Sequence, residues 1–162
     1  MFRIPKCHSR PARLQRAFTL VEIAVVVMIL GVLIALTLPG YRKVTLKSKA
    51  TAAVNDVRIF AGAFSNASLQ NGGWPVGGTG PGVIPPEMAN ALSVVFTQPS
   101  PIGGKYEWIS NSTYKAAIGI TLDGGSDLEL LEVFDSLLDD GNTHTGNVLI
   151  VGTDIVYIIE EK

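Results

Sequence analysis

The sequence predicts an α+β fold: a long N-terminal helix, membrane-spanning in its first half and amphipathic in its second, packed on a small antiparallel sheet. Three observations predict it. Phe18 to Leu38 is an unbroken apolar run, Tyr41 to Leu69 keeps a helical rhythm, and the C-terminal part alternates short β-rich runs with turn residues. The expected divisions are a basic leader at 1–17, a transmembrane helix at 18–39, an amphipathic stalk helix at 40–70 and a small extracytoplasmic α+β domain at 71–162.

The leader holds Arg3, Lys6, Arg10, Arg13 and Arg16 and no acid, a charge of +5. From Phe18 onward 8 basic residues face 14 acidic ones, so the net charge of −1 conceals a basic tip and an acidic body. That profile suits a membrane-inserted N-terminus whose leader stays cytoplasmic. Arg42, Lys43, Lys47 and Lys49 follow closely on the far side, and the leader outweighs them by a small margin. Cys7 is the only cysteine and lies in the leader with His8. Removal of the tip would leave no thiol, which excludes a disulfide framework, a thiolate nucleophile and a cysteine-bound metal together.

FTLVEIAVVVMILGVLIALTL (18–38) carries one formal charge, Glu22, and as a helix is about 30 Å long, the thickness of a hydrocarbon core. A buried helix of a soluble domain would show a polar face, and none exists between Ile23 and Leu36. A cleavable secretory signal would have a shorter core and a small-x-small site; Ala35-Leu36-Thr37 matches this poorly. Pro39 removes a helical hydrogen bond and, with Gly40, marks a kink or a loosened turn. Beyond it Val44, Ala50 or Thr51, Val54, Val57 or Arg58, Ala61, Phe64 and Ser68 form the expected buried face, until Asn71-Gly72-Gly73 stops the helix.

Residues 71–86 form a Gly/Pro-rich connector. Its Gly77–Gly82 stretch lacks the strand, the helix N-terminus and the proline-free turn of a phosphate loop. Trp74-Pro75 is expected to pin this connector to the stalk. A short helix is expected at Glu87–Val95, then strands at Lys105–Ile109 and Lys115–Thr121 around a Ser110–Ser112 turn, with Trp108 as a core anchor. Ser126 and Glu129 suggest a capping box for a helix whose apolar face is Leu128, Leu131, Phe134, Leu137 and Leu138. A closing hairpin pairs Asn147–Val151 with Ile155–Glu160 across Gly152-Thr153-Asp154.

No catalytic constellation emerges. His144 would be the one histidine left after loss of the leader, and neither H-E-x-x-H spacing nor a glycine-flanked serine elbow is present, so an enzyme is not expected. From Gly119 to Lys162 ten acids face one lysine, which disfavours nucleic acid as a partner. Asp139, Asp140 and Asn142 admit two readings. They are a solvated helix end capped by Gly141, or an oxygen-rich site for Ca²⁺, the one cofactor considered.

Glu22 is the most informative residue. A carboxylate within a spanning helix costs about 2.5–3.5 kcal/mol at mid-membrane and less near its end. A cut between Ala17 and Phe18 would place a new α-amine four residues before it, within reach of a pairing inside one chain or between staggered chains. Arg16-Ala17-Phe18-Thr19-Leu20-Val21-Glu22 followed by the apolar run resembles the N-terminus of type IV prepilins and type II secretion pseudopilins. The resemblance covers roughly residues 10–60. It implies a pilin-like fold, prepilin peptidase cleavage between Ala17 and Phe18, N-methylation of Phe18, a subunit-docking role for Glu22, and a family proline at Pro39. Ala17 departs from the glycine that the family prefers before the cut; alanine is the smallest substitute, and processing is expected to survive it. Some pseudopilins of this kind use calcium to order a C-terminal loop.

The expected function is thus a structural subunit of a pilus-like filament, read first as a type II secretion pseudopilin. The alternatives are a type IV pilin or minor pilin acting as an adhesion or binding module, and an anchored domain that never polymerises. The implied partners are the prepilin peptidase, copies of itself and other pilin-like subunits, an inner-membrane assembly platform and membrane lipid. The implied location is a bacterial inner membrane, crossed once, with the C-terminal domain periplasmic or extracellular.

Overall fold

The computed structural model describes residues 18–162 except Thr79, Ser93, Asp123, Gly125 and Ser126, and describes Pro39 by its backbone. Ala17 with the rest of the leader, and the Ser126 half of the expected capping box, lie outside the described residues. By its contacts the chain divides between Gly40 and Tyr41.

The first unit is the start of helix α1 (Leu20–Asn71). Its apolar side chains point outward all round and none is buried by protein. Such a surface is compatible with lipid and incompatible with water. Among the described residues α1 is the one helix long and apolar enough to cross a membrane. The helix runs through Pro39 and Gly40 without a break, and the contact boundary falls directly after them.

The second unit comprises the remainder of α1, a four-stranded antiparallel sheet and helix α2 (Leu128–Leu138). The strands are β1 (Lys105–Ile109), β2 (Tyr114–Thr121), β3 (Val148–Val151) and β4 (Asp154–Glu161), in the order β1-β2-β4-β3. Hairpin pairing sets the register: Trp108 faces Ile118 across β1–β2, and Ile150 faces Ile155 across β3–β4. Near Ala116 the β2–β4 ladder slips, which puts both Ala116 and Ala117 into apolar surroundings on different faces.

The stalk's buried face is Leu46, Ala50, Ala53, Val54, Val57, Phe60 and Phe64. Val44, expected inside, is 69% exposed, and Leu46, Ala53 and Phe60 were not in the expected set. The core is largely aromatic. Phe64 stacks on Trp108 with centroids 3.8 Å apart, and Phe60 meets Phe96 and Tyr106 edge-on at 5.0 Å. Tyr106 donates to Asp56 at 2.8 Å; burial chiefly, together with that carboxylate, pushes the phenol well above its ordinary range. Trp108 is buried, as expected of a core anchor.

Several expected details change. Gly72, at φ +74°, closes α1, with the Gly73 amide bonded to the Ser68 carbonyl at 3.1 Å. The expected Glu87–Val95 helix is two separate 3₁₀ turns, Pro86–Met88 and Val94–Thr97. Pro85 and Pro86 restrict the backbone to a single tight turn, and Met88 and Phe96 enter the core as isolated plugs. Trp74-Pro75 is fastened to the sheet and packs against the core that the stalk and sheet share. Trp74 packs on Trp108 and donates to Glu160 at 2.6 Å, and the Pro75 carbonyl accepts from Trp108 at 3.0 Å. The cap of α2 is Asp127, which accepts from the Glu129 amide at 3.2 Å. Its buried face is Leu130, Leu131, Phe134 and Asp135, whereas Leu128 is 68% exposed.

The stalk holds α2 near both ends. Arg42 pairs with Asp127 at 2.8 Å and Glu129 at 3.4 Å, and Arg58 donates to the Leu137 carbonyl at 2.9 Å. That carbonyl is one of the helix-end acceptors that lack an intrahelical donor, so a cation there suits both hydrogen bonding and dipole.

Candidate functional site

Two regions carry the expected site residues. The first is the start of α1. Thr19 stands before the first helical residue, and its hydroxyl accepts from the Glu22 amide at 3.2 Å. In return Glu22 Oε2 accepts from the Thr19 amide and the Thr19 hydroxyl, each at 2.9 Å. Thr19-x-x-Glu22 is therefore a reciprocal capping box. The sequence reading overlooked it, although the T-x-x-E spacing was there to be seen. Glu22 thus satisfies the Thr19 amide of its own helix start before any second chain is considered. Both bonds fall on Oε2; among the described residues Oε1 has no partner. Phe18, just ahead of the box, is 80% exposed.

The second region is the end of α2. Carboxylate oxygens of Asp135, Asp139 and Asp140 lie within 4.8 Å of one another. Asp135 is fully buried, and neither of its oxygens has a hydrogen-bond partner. Desolvation first, then Asp140 and Asp139, push its carboxyl up to about 6. Asp140 behaves oppositely: hydrogen bonds from the Asn142 amide and the Thr145 hydroxyl, each 2.8 Å, hold it below the usual carboxylate range. Asp139 accepts from the Asn147 amide. A side chain at Gly146, where φ is +83°, would run into the Asp139 carboxylate, so only glycine lets the loop approach this closely. Asn142 turns its Oδ1 to the His144 amide at 3.3 Å. Sequence reading located Asp139, Asp140 and Asn142 but missed Asp135, because a helix position between Phe134 and Ser136 gave no sign that its acid was buried.

Two oxygens bound to one calcium ion at about 2.3–2.6 Å stand no more than about 5 Å apart, so this acidic trio meets the spacing requirement. A buried carboxylate with no partner is also what a cation site without its cation presents.

Comparison with known proteins bears on the first region. The prokaryotic N-terminal methylation motif matches residues 12–38. A type IV major pilin protein of Neisseria gonorrhoeae is 33% identical over 93 residues, covering 57% of this chain and 49% of the pilin. The type II secretion system core protein G of Pseudomonas aeruginosa is 41% identical over 63 residues, 39% of this chain and 44% of that protein. A fimbrial protein of Pseudomonas aeruginosa is 38% identical over 56 residues, 35% and 36% of the two chains. The chain spans about half or less of the length of the curated relatives it matches. No solved structure matches it. The long helix on a four-stranded antiparallel sheet is a pilin-like α+β arrangement. The matched motif straddles the junction where the basic tip meets the capped apolar helix, and in that N-terminus the chain is similar to type IV pilins and to a type II secretion core protein.

Proposed function

We propose that this chain is a structural, non-enzymatic subunit of a pilus-like filament, of the type II secretion pseudopilin kind. It would be anchored by a single pass in the inner membrane until assembly. The observation that carries the reading is the methylation motif over residues 12–38, set on a helix whose apolar surface no protein covers. In this reading the prepilin peptidase removes residues 1–17, cutting after Ala17, and methylates the amine of Phe18. The new amine lies at the membrane edge, and Glu22 of a neighbouring subunit meets it through the carboxylate that already caps its own helix. A fixed stagger between chains follows, because a charge pair in hydrocarbon tolerates little displacement. Pro39 and Gly40 then loosen the helix where the spanning half gives way to the stalk. The inner-membrane assembly platform and other pilin-like subunits complete the partner set, and nucleic acid is not among them.

A type IV pilin is the second reading. The observation that favours it is the longer stretch aligned with the gonococcal pilin, 93 residues against 63 for core protein G.

Mass spectrometry of the chain purified from its own membrane tests the proposal. The expected product starts at Phe18 and carries one additional methyl group. A product that retains Met1 to Ala17 would reduce the chain to an ordinary anchored domain.

Calcium is proposed at Asp135, Asp139 and Asp140, with the Asn142 segment shaping the loop. When bound, the ion would supply charge compensation to the buried Asp135 and tie α2 to the loop before β3. Isothermal titration of the full chain in detergent checks this: one saturable site is expected, lost in Asp135→Asn.

A further inference from the structure

The first turns of the stalk carry a concentration of charge that neither the fold nor the proposed function has used. Arg42, Lys43, Lys47 and Lys49 lie within eight residues, and no acid follows until Asp56, which is engaged by Tyr106. Arg42 is paired with Asp127 and Glu129. Lys43, Lys47 and Lys49 are exposed and, among the described residues, form no ion pair. Lys43 and Lys47 stand one helical turn apart and repel each other, with no acid at helical spacing to relieve them. Beside Lys47 runs an open groove lined by Val44, Ser48, Thr51, Ala52 and Asn55.

The opposite charge lies on the body of the same molecule. Its last 44 residues hold ten acids and one lysine. Glu132, on α2, is exposed and without an ion pair among the described residues. Within one chain Arg42 already shows that stalk cations and α2 acids pair well.

We infer that the lysine band at 43–49 docks on the acidic outer face of α2, around Glu132, of a second copy of this chain. Lipid phosphate is the competing occupant, and helix length argues against it. Lys43, five residues past Leu38, reaches only the outer edge of the headgroup layer, and Lys47 and Lys49 lie nine and eleven residues past it, a helical contour of roughly 14 and 16 Å. The headgroup layer is only about 5–8 Å deep. Charge complementarity within a single sequence is also what a repeating homopolymeric contact requires, since each subunit must present both halves.

This inference rests on the filament reading, and the test separates the two. Filaments sheared from cells are quantified for the full chain, for Lys43→Glu/Lys47→Glu, and for that double variant with Glu132→Lys added, each normalised to membrane-inserted protein. The double variant is expected to lose filaments at least tenfold, and the added lysine to restore most of them. Filaments at the normal level in the double variant overturn the inference and leave the subunit reading intact; absence of filaments from the unmodified chain overturns both. Loss without restoration overturns the assignment to α2. Should the double variant fail to accumulate, filaments of the unmodified chain are washed from about 0.1 M to about 1 M salt, which shortens screening from about 10 Å to about 3 Å. Dissociation supports the contact, and indifference to salt overturns it. Altered partition between phosphatidylcholine and phosphatidylglycerol bilayers, with filaments unaffected, would assign the lysines to lipid and overturn it as well.

Discussion

Two acids occupy places where a negative charge is costly, and they are handled in opposite ways. Glu22 stands at the start of an apolar helix with its carboxylate bonded to the Thr19 amide and hydroxyl. Asp135 stands near the end of α2, fully buried, with no donor at either oxygen and two further carboxylates close by. The helix termini account for the difference. An N-terminus offers unpaired amides and positive potential, so an acid there is locally satisfied; a C-terminus offers carbonyls and negative potential, so an acid there finds no donor in the helix itself. The local solution stabilises the helix by itself, whereas the other makes stability depend on the protonation of Asp135.

The largest expected effect separates the two roles of Glu22. Glutamine serves as well as glutamate in a capping box, so Glu22→Gln keeps the cap and removes the charge. If the charge docks against the amine of a neighbouring chain, leaving that amine unpaired in low dielectric costs about 3–5 kcal/mol. Filament yield should then fall by two orders of magnitude or more while membrane insertion is unchanged. Filaments at the usual yield would reduce Glu22 to a cap and nothing else.

Asp135 sets the next effect. In calcium-free full-length protein its raised carboxyl means that the folded state holds a proton which the unfolded chain releases near the ordinary 3.8. Stability is therefore complete below about pH 4 and declines as pH rises through about 6, by about 3 kcal/mol in all. Chemical denaturation between pH 4 and 7 in detergent should show this fall, and Asp135→Asn should flatten it. Calcium at a hundred times its dissociation constant should return about 2.7 kcal/mol at pH 7, and only to the chain that retains Asp135. A stability that rises from pH 4 to 7 without metal would contradict the buried-acid account.

How much of this was legible in the sequence follows from the same physics. The long apolar helix, the four strands, the closing hairpin and Trp108 could be read because each rests on a local pattern: an apolar run, alternation, or turn residues between them. The exact stalk face was misread at Val44, Leu46 and Phe60, since a helical stripe of mixed small and apolar residues fits more than one rotation until the sheet chooses. The Glu87–Val95 segment looked helical because apolar residues at threes and fours also describe two turns plugging one core. Asp135 could not be seen at all. Its burial arises from the packing of α2 on the rest of the core, which no spacing within α2 records.

The smallest effect tests the satisfied half of the comparison. Thr19→Ala removes the hydroxyl that both donates to Glu22 and accepts from its amide, while leaving the carboxylate in place. Loss of a cap of this kind costs about 1 kcal/mol, which corresponds to roughly a fivefold increase in local opening. Hydrogen exchange of the first-turn amides of α1 in micelles should quicken by that factor, and the amides of α2 should not change. If first-turn exchange is unaltered in Thr19→Ala but quickens in Glu22→Ala, the carboxylate alone holds the helix start. The hydroxyl half of the box would then contribute nothing, and turning Glu22 toward a neighbouring chain would forfeit the one bond that holds the helix start.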